Sequence, residues 1–146
     1  MKPSDFMNSP FDSKLENELK KQLKNLPEIV RLNFIKECFE YNKPKYPKLL
    51  KVAISCISNH EYVKEILIIG LKIADASRIQ YWVELGVKKL GELKYIKFLK
   101  NNVSEFPLSV DKSIYWLPRY INRDNEKVNA EFNALKKALK DNKEES

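Results

Sequence analysis

Glycine is nearly missing from this chain. Only three occur among 146 residues, at positions 70, 86 and 91, and no Asn-Gly or Asp-Gly pair is present. The tight hairpin turns that build antiparallel sheets therefore have no residues to form them, and no glycine-rich loop exists to cradle a nucleotide phosphate. Histidine is rarer still, with His60 alone, and the two cysteines, Cys38 and Cys56, belong to no C-x-x-C or H-E-x-x-H pattern. A zinc site needs three or four such ligands, so the expectation is no metal, no cofactor and no catalytic residue. His60, between Asn59 and Glu61, reads as a surface cap. Two cysteines are too few for a disulfide framework, and both sit in apolar helical patterns where a thiol acts as a small buried hydrophobe. A reducing, cytoplasmic compartment suits them. The longest apolar run, Ile66 to Leu71, is far too short to span a bilayer, and "MKPSDFMNSPFDS" lacks the charged start and apolar stretch of a secretion signal.

Lysine, leucine, glutamate and isoleucine abound instead, and these favour helix over sheet. The fold class expected is all-α, and the length suits one domain. Net charge is +7, from 27 lysines and arginines against 20 acidic residues. Only four of the cations are arginines: Arg31, Arg78, Arg119 and Arg123. Arginine is the residue suited to bidentate contacts with phosphates and bases, so most of the lysine excess reads as solvated surface.

Residues 1–11 hold two prolines and no period, which predicts a flexible leader; 12–141 predict one helical repeat domain and 142–146 a charged, fraying tail. "SKLE" at Ser13–Glu16 matches a capping box, and Leu15, Leu19, Leu23 and Leu26 follow as an apolar stripe. Pro27 suits the first position of a second helix, broken by "NKPKYPK" at 42–48. Further helices are predicted over Pro47–Ser58, Tyr62–Ala74, Ala76–Leu90, Glu92–Val103, Asp111–Asn122 and Asn125–Asp141. The helix at Tyr62–Ala74 is apolar on nearly every side and is expected at the centre. Pro118, inside the seventh, should kink or split it.

The helix pairs begin near Ser13, Tyr46, Ser77 and Asp111, intervals of 31 to 34 residues, and predict four antiparallel hairpins. A shift of 34 aligns Leu15, Leu49, Val83 and Leu117 in one column and Leu19, Ala53, Val87 and Ile121 in another, one turn away. The same shift carries Tyr81-Trp82 onto Tyr115-Trp116. Within "DASRIQYWVELGVKKLGELKYIKFLKNN", Asp75, Arg78, Leu85-Gly86, Leu90-Gly91, Ile96 and Leu99 resemble a HEAT-type repeat. That resemblance implies an α-α superhelix, a right-handed solenoid of about four stacked hairpins. A tetratricopeptide frame has the same length and shares Trp82-x-x-Leu85-Gly86, but Lys89 and Phe98 stand where it needs a tyrosine and a small alanine.

Asp75 and Arg78 form an i, i+3 pair at a helix start, and Glu84 with Lys88 an i, i+4 surface pair; both read as local supports. Each Tyr-Trp pair carries a cation one turn before its Trp, Arg78 and Lys112. The expected function is a non-enzymatic binding module that engages a protein partner through a concave aromatic and basic face, anchored by Arg78, Tyr81, Trp82, Lys112, Tyr115, Trp116 and Arg119. The bland counterpart is that both tryptophans fill the seam between hairpins. The competing function is nucleic-acid binding through Lys88, Lys89, Lys94, Lys97, Lys100, Lys136, Lys137 and Lys140. Convergence of those lysines on the Tyr-Trp groove would favour it.

Overall fold

The computed structural model describes residues 1–10, 13–41, 43–73, 75 and 77–145, and among them every regular element is helical, with no strand. Nine α-helices follow one another: α1 Pro3–Met7, α2 Ser13–Lys24, α3 Glu28–Cys38, α4 Tyr46–Cys56, α5 His60–Ile73, α6 Ile79–Leu90, α7 Glu92–Asn101, α8 Pro107–Trp116 and α9 Glu126–Glu145. Short 3-10 turns occupy Lys43–Lys45 and Leu117–Arg119. The expected leader end at 11, the domain start at 12, the break at Asn42, the boundaries at Ala74 and Ala76 and the final tail residue lie outside the described residues. The chain divides into two compact units, Met1–Val63 and Lys64–Ser146, with the boundary inside α5.

In the first unit α2 lies beside α4, α3 packs on both, and α1 covers α3 and α2. Within the expected leader, Pro3–Met7 form α1. Phe6 and Met7 are fully buried, and the Asp5 carboxylate accepts the Lys2 N–H at 2.9 Å. Five residues are too few to show a helical period, yet burying two large apolar side chains contributes about 1.5–3 kcal/mol each, enough to hold the segment down. Lys45 reinforces it, donating to the Ser9 carbonyl at 2.8 Å with its ammonium 4.8 Å from the Phe6 ring.

The α3 N-terminus joins the turns around it. Arg31 donates to the Lys24 and Leu26 carbonyls, at 3.1 and 2.9 Å, and to the Cys56 carbonyl at 3.0 Å, so one guanidinium satisfies orphan acceptors at the ends of α2 and α4. Glu28 Oε2 accepts the N–H groups of Ser58 and Asn59 at 2.6 and 3.1 Å. Pro27 stands one position outside the helix, as its N-cap, rather than as its first residue.

The second unit repeats this device. Glu92, the first residue of α7, accepts the Asn122 N–H on Oε2 at 2.7 Å. Glu28 and Glu92 are 64 positions apart, each opens the second helix of a hairpin, and each reaches a turn thirty residues ahead. Here α6 lies beside α8 and α7 beside α9, with α6–α7 and α8–α9 packed as hairpins. Gly91, at φ 86°, ends α6 and starts α7; a side chain there would be strained, which explains the Leu-Gly turn. Gly86 and Gly70 serve differently, since each lies against a ring, Tyr95 and Trp82 respectively.

The aligned columns are largely core: Leu49, Ala53, Val83 and Leu117 are fully buried, with Leu19 and Ile121 nearly so and Leu15 and Val87 half-buried. Through the second unit runs a polar thread. Ser109 Oγ donates to the Leu71 carbonyl at 2.6 Å, Ser113 Oγ to the Ser109 carbonyl at 2.9 Å, and the buried Tyr95 hydroxyl hydrogen-bonds Ser113. Burial holds that hydroxyl well above the ordinary tyrosine range.

Pro118 does split its helix: α8 stops at Trp116 and a 3-10 turn carries Leu117–Arg119. The helix also begins earlier than the expected Asp111, because Pro107, at its first position, is preset for a helix start. At the C-terminus α9 runs to Glu145, past the expected fray at 142, where Lys143 pairs with Asp111 at 3.5 Å.

Candidate functional site

The short α8 is set by two prolines, and its outward side carries the most exposed aromatic among the described residues. Tyr115 is 73 % exposed, its ring edge-on to Trp116 with centroids 5.5 Å apart. The Arg119 guanidinium lies 4.5 Å from the Trp116 ring centre. Pro118 makes this contact local, because the change from α-helix to 3-10 turn after Trp116 brings residue 119 back over the ring three positions earlier. Lys112, Tyr115 and Trp116, with Ile79 from the head of α6, line a shallow depression of about 250 Å³. Four of the seven expected anchors, Lys112, Tyr115, Trp116 and Arg119, thus share one locality.

The other three lie elsewhere. Trp82 is 4 % exposed and packs so closely on Gly70 that a methyl there would stand 2.4 Å from its ring. It is core, the bland reading of the two. Arg78 is the N-cap residue of α6 and pairs with Asp75. The Asp75 carboxyl is held below its ordinary value first by the Ser77 hydroxyl and then by Arg78, so the pair is a local clamp at the helix start. Tyr81 is half-buried and lies near Tyr120, whose hydroxyl is pushed up by burial first and by Glu84 second. Ile79 and Leu108, the latter 61 % exposed, were not picked out from sequence. The available signal for Leu108 was its place two helical turns before Tyr115.

The lysines of the competing reading are divided, with Lys88 and Lys89 on α6, Lys94, Lys97 and Lys100 on α7, and Lys136, Lys137 and Lys140 on α9. Lys94 and Lys97 line a depression with Leu90, Gly91, Glu92, Leu93 and Val128, and Lys97 and Lys127 line its neighbour with Leu93, Ala130 and Glu131. Apart from Leu90 and Gly91 at the end of α6, these residues belong to α7 and α9, whereas the aromatic depression belongs to α6 and α8. Several of the basic side chains are engaged locally: Lys88 with Glu84 at 2.7 Å, Lys100 with Glu131 at 3.1 Å, and Lys136 at 5.2 Å from the Phe132 ring.

His60 is the first residue of α5, and the cap is its neighbour, since Asn59 Oδ1 accepts the Tyr62 N–H at 3.1 Å. Among the described residues no group of three or more His, Cys, Asp or Glu could hold a metal ion, and no helix is long and apolar enough to cross a membrane. Burial, followed by the Glu37 charge, pushes the Cys38 thiol up to about 12, so it stays protonated at neutral pH. Compared with protein-family models, curated proteins and solved structures, the chain matches none.

Proposed function

We propose that this chain is a non-enzymatic helical-repeat binding module, HEAT-like in its stacking, that engages a protein partner through the α6–α8 face. The observation that carries the reading is Tyr115, a large aromatic left 73 % exposed and held edge-on by Trp116, beside a stacked guanidinium. Tyrosine, tryptophan and arginine are the residues in which interface energy concentrates, because a rigid ring with a polar tip offers a large contact area at little cost in side-chain freedom when a partner covers it. The repeat reading is supported by alternate helices lying side by side, α2 with α4, α6 with α8 and α7 with α9, and by the glutamate device recurring at Glu28 and Glu92. The nucleic-acid alternative draws less support, because Lys94 and Lys97 line depressions along α7 rather than the aromatic one.

Site-specific photo-crosslinking tests this reading. A benzophenone amino acid at position 115 should yield a protein adduct in cells of the source organism, lost in the Trp116→Ala background, while the same group at position 133 on α9 should not. Adducts digested by nuclease, or equal yields from the two positions, would overturn it.

A further inference from the structure

Resting on that reading, we propose that the partner presents an amphipathic helix flanked by carboxylates, and that α8 receives it along one heptad-spaced stripe. Leu108 and Tyr115 are the two most exposed large apolar side chains among the described residues, at 61 % and 73 %. They are seven positions apart, two helical turns, and therefore share a face of α8. Lys112 and Arg119 repeat the same interval, each four positions after one of the apolar residues. An apolar residue every seven positions with a charge alongside is the pattern along which a second helix lies down, and the flanking charge selects the sign of what it accepts.

The charge on the stripe has one sign. Between Pro107 and Arg119 the only carboxylate is Asp111, and its Oδ2 is engaged by Lys143 at 3.5 Å. Lys112 on α8 and Arg119 on the 3-10 turn after it flank the apolar pair one heptad apart in sequence, an interval that carboxylates one heptad apart on a facing helix can meet. Arg119 is already oriented by the Trp116 ring, so less side-chain freedom is lost when it meets a carboxylate. A second copy of the chain fits poorly, because a two-fold contact would set this stripe against itself and oppose cation to cation. Phosphate recognition leaves Leu108 without a role.

The test uses the full chain and two synthetic peptides of about 20 residues, long enough to form helix on a surface. Both carry the same heptad-spaced leucines; one has glutamate and the other lysine at the flanking positions. Titration followed by fluorescence anisotropy should show the glutamate peptide binding at least about 10-fold tighter than the lysine peptide, a preference reversed by Lys112→Glu with Arg119→Glu. Tyr115→Ala should weaken the glutamate peptide by about 10-fold or more, with circular dichroism unchanged to show that the variants fold. Equal affinities for the two peptides, both reduced by Tyr115→Ala, would overturn the acidic preference and leave the partner-binding reading standing. Absence of binding by either peptide up to about millimolar concentration would overturn the inference, and the crosslinking result would then decide the broader reading separately. Self-association abolished by Tyr115→Ala, or oligonucleotide binding abolished by Lys112→Glu, would replace it with a different occupant.

Discussion

Glycine scarcity makes the few glycines informative at the scale of single residues. Gly70→Ala would place a methyl 2.4 Å from the Trp82 ring, so the ring or the helix must shift. Overpacking of this kind costs about 1–3 kcal/mol, and the melting temperature should fall by several degrees. Val83→Asp is expected to cost several kcal/mol because Val83 is fully buried and the new carboxylate would have no partner, while Lys88→Asp on the exposed side should change little. Equal melting temperatures for the two would contradict the register of α6. Cys38 gives a pH prediction. A thiol whose pKa rises on folding, from 9.0 to about 12, stabilises the fold fully below pH 9, and the contribution is lost as pH climbs through that window. Stability should therefore drop more steeply above pH 9 in the wild type than in Cys38→Ala, and iodoacetamide should label Cys38 only after denaturant is added. The buried positions were legible in the sequence because leucine and valine columns report one helix face. The fate of Trp82 was not, since a tryptophan beside a buried valine can turn to either side, and what decided it was the space that Gly70 leaves open.

Individual elements show where local signals suffice and where they fail. Pro118 announces the end of α8 because it removes a donor and restricts the residue before it, and the helix stops at Trp116. The start of α8 at Pro107 and the presence of α1 were less legible. A proline can open a helix as readily as break one, and five residues give no period to read. The glutamates that open α3 and α7 were invisible as tethers, because a glutamate near a helix start is ordinary and its acceptor role depends on a turn thirty residues away. Glu92→Ala should leave the exposed Asn122 N–H to water and cost about 0.5–1.5 kcal/mol, whereas Glu92→Gln, which keeps an acceptor oxygen, should cost less. Indistinguishable denaturation midpoints for alanine and glutamine would show that the contact contributes nothing.

For the whole molecule, composition foretold an all-helical chain, and no strand occurs among the described residues. The candidate surface was only partly legible: Tyr115 and Trp116 stood out as aromatics, but exposure depends on which neighbours cover a ring, and sequence carries no such information for Tyr81 and Tyr115 alike. Net charge is the property most open to misreading. With lysines dispersed over α6, α7 and α9 and several paired, generic duplex DNA should bind no tighter than the non-specific range of about 10⁻⁴ to 10⁻⁶ M at physiological salt, and a filter-binding titration showing submicromolar affinity would contradict this. The two glutamate tethers bear on how the chain reaches this state. Each closes a span of about thirty residues, and the other tertiary bonds are of similar reach, from Arg31 to the Cys56 carbonyl across 25 residues to Ser109 and the Leu71 carbonyl across 38, so the search that folding must perform is short-range in sequence. The main refolding phase after a denaturant jump should be over within about milliseconds, without waiting for the two ends to meet, and only the chains with a cis bond at one of the seven prolines should follow over tens of seconds.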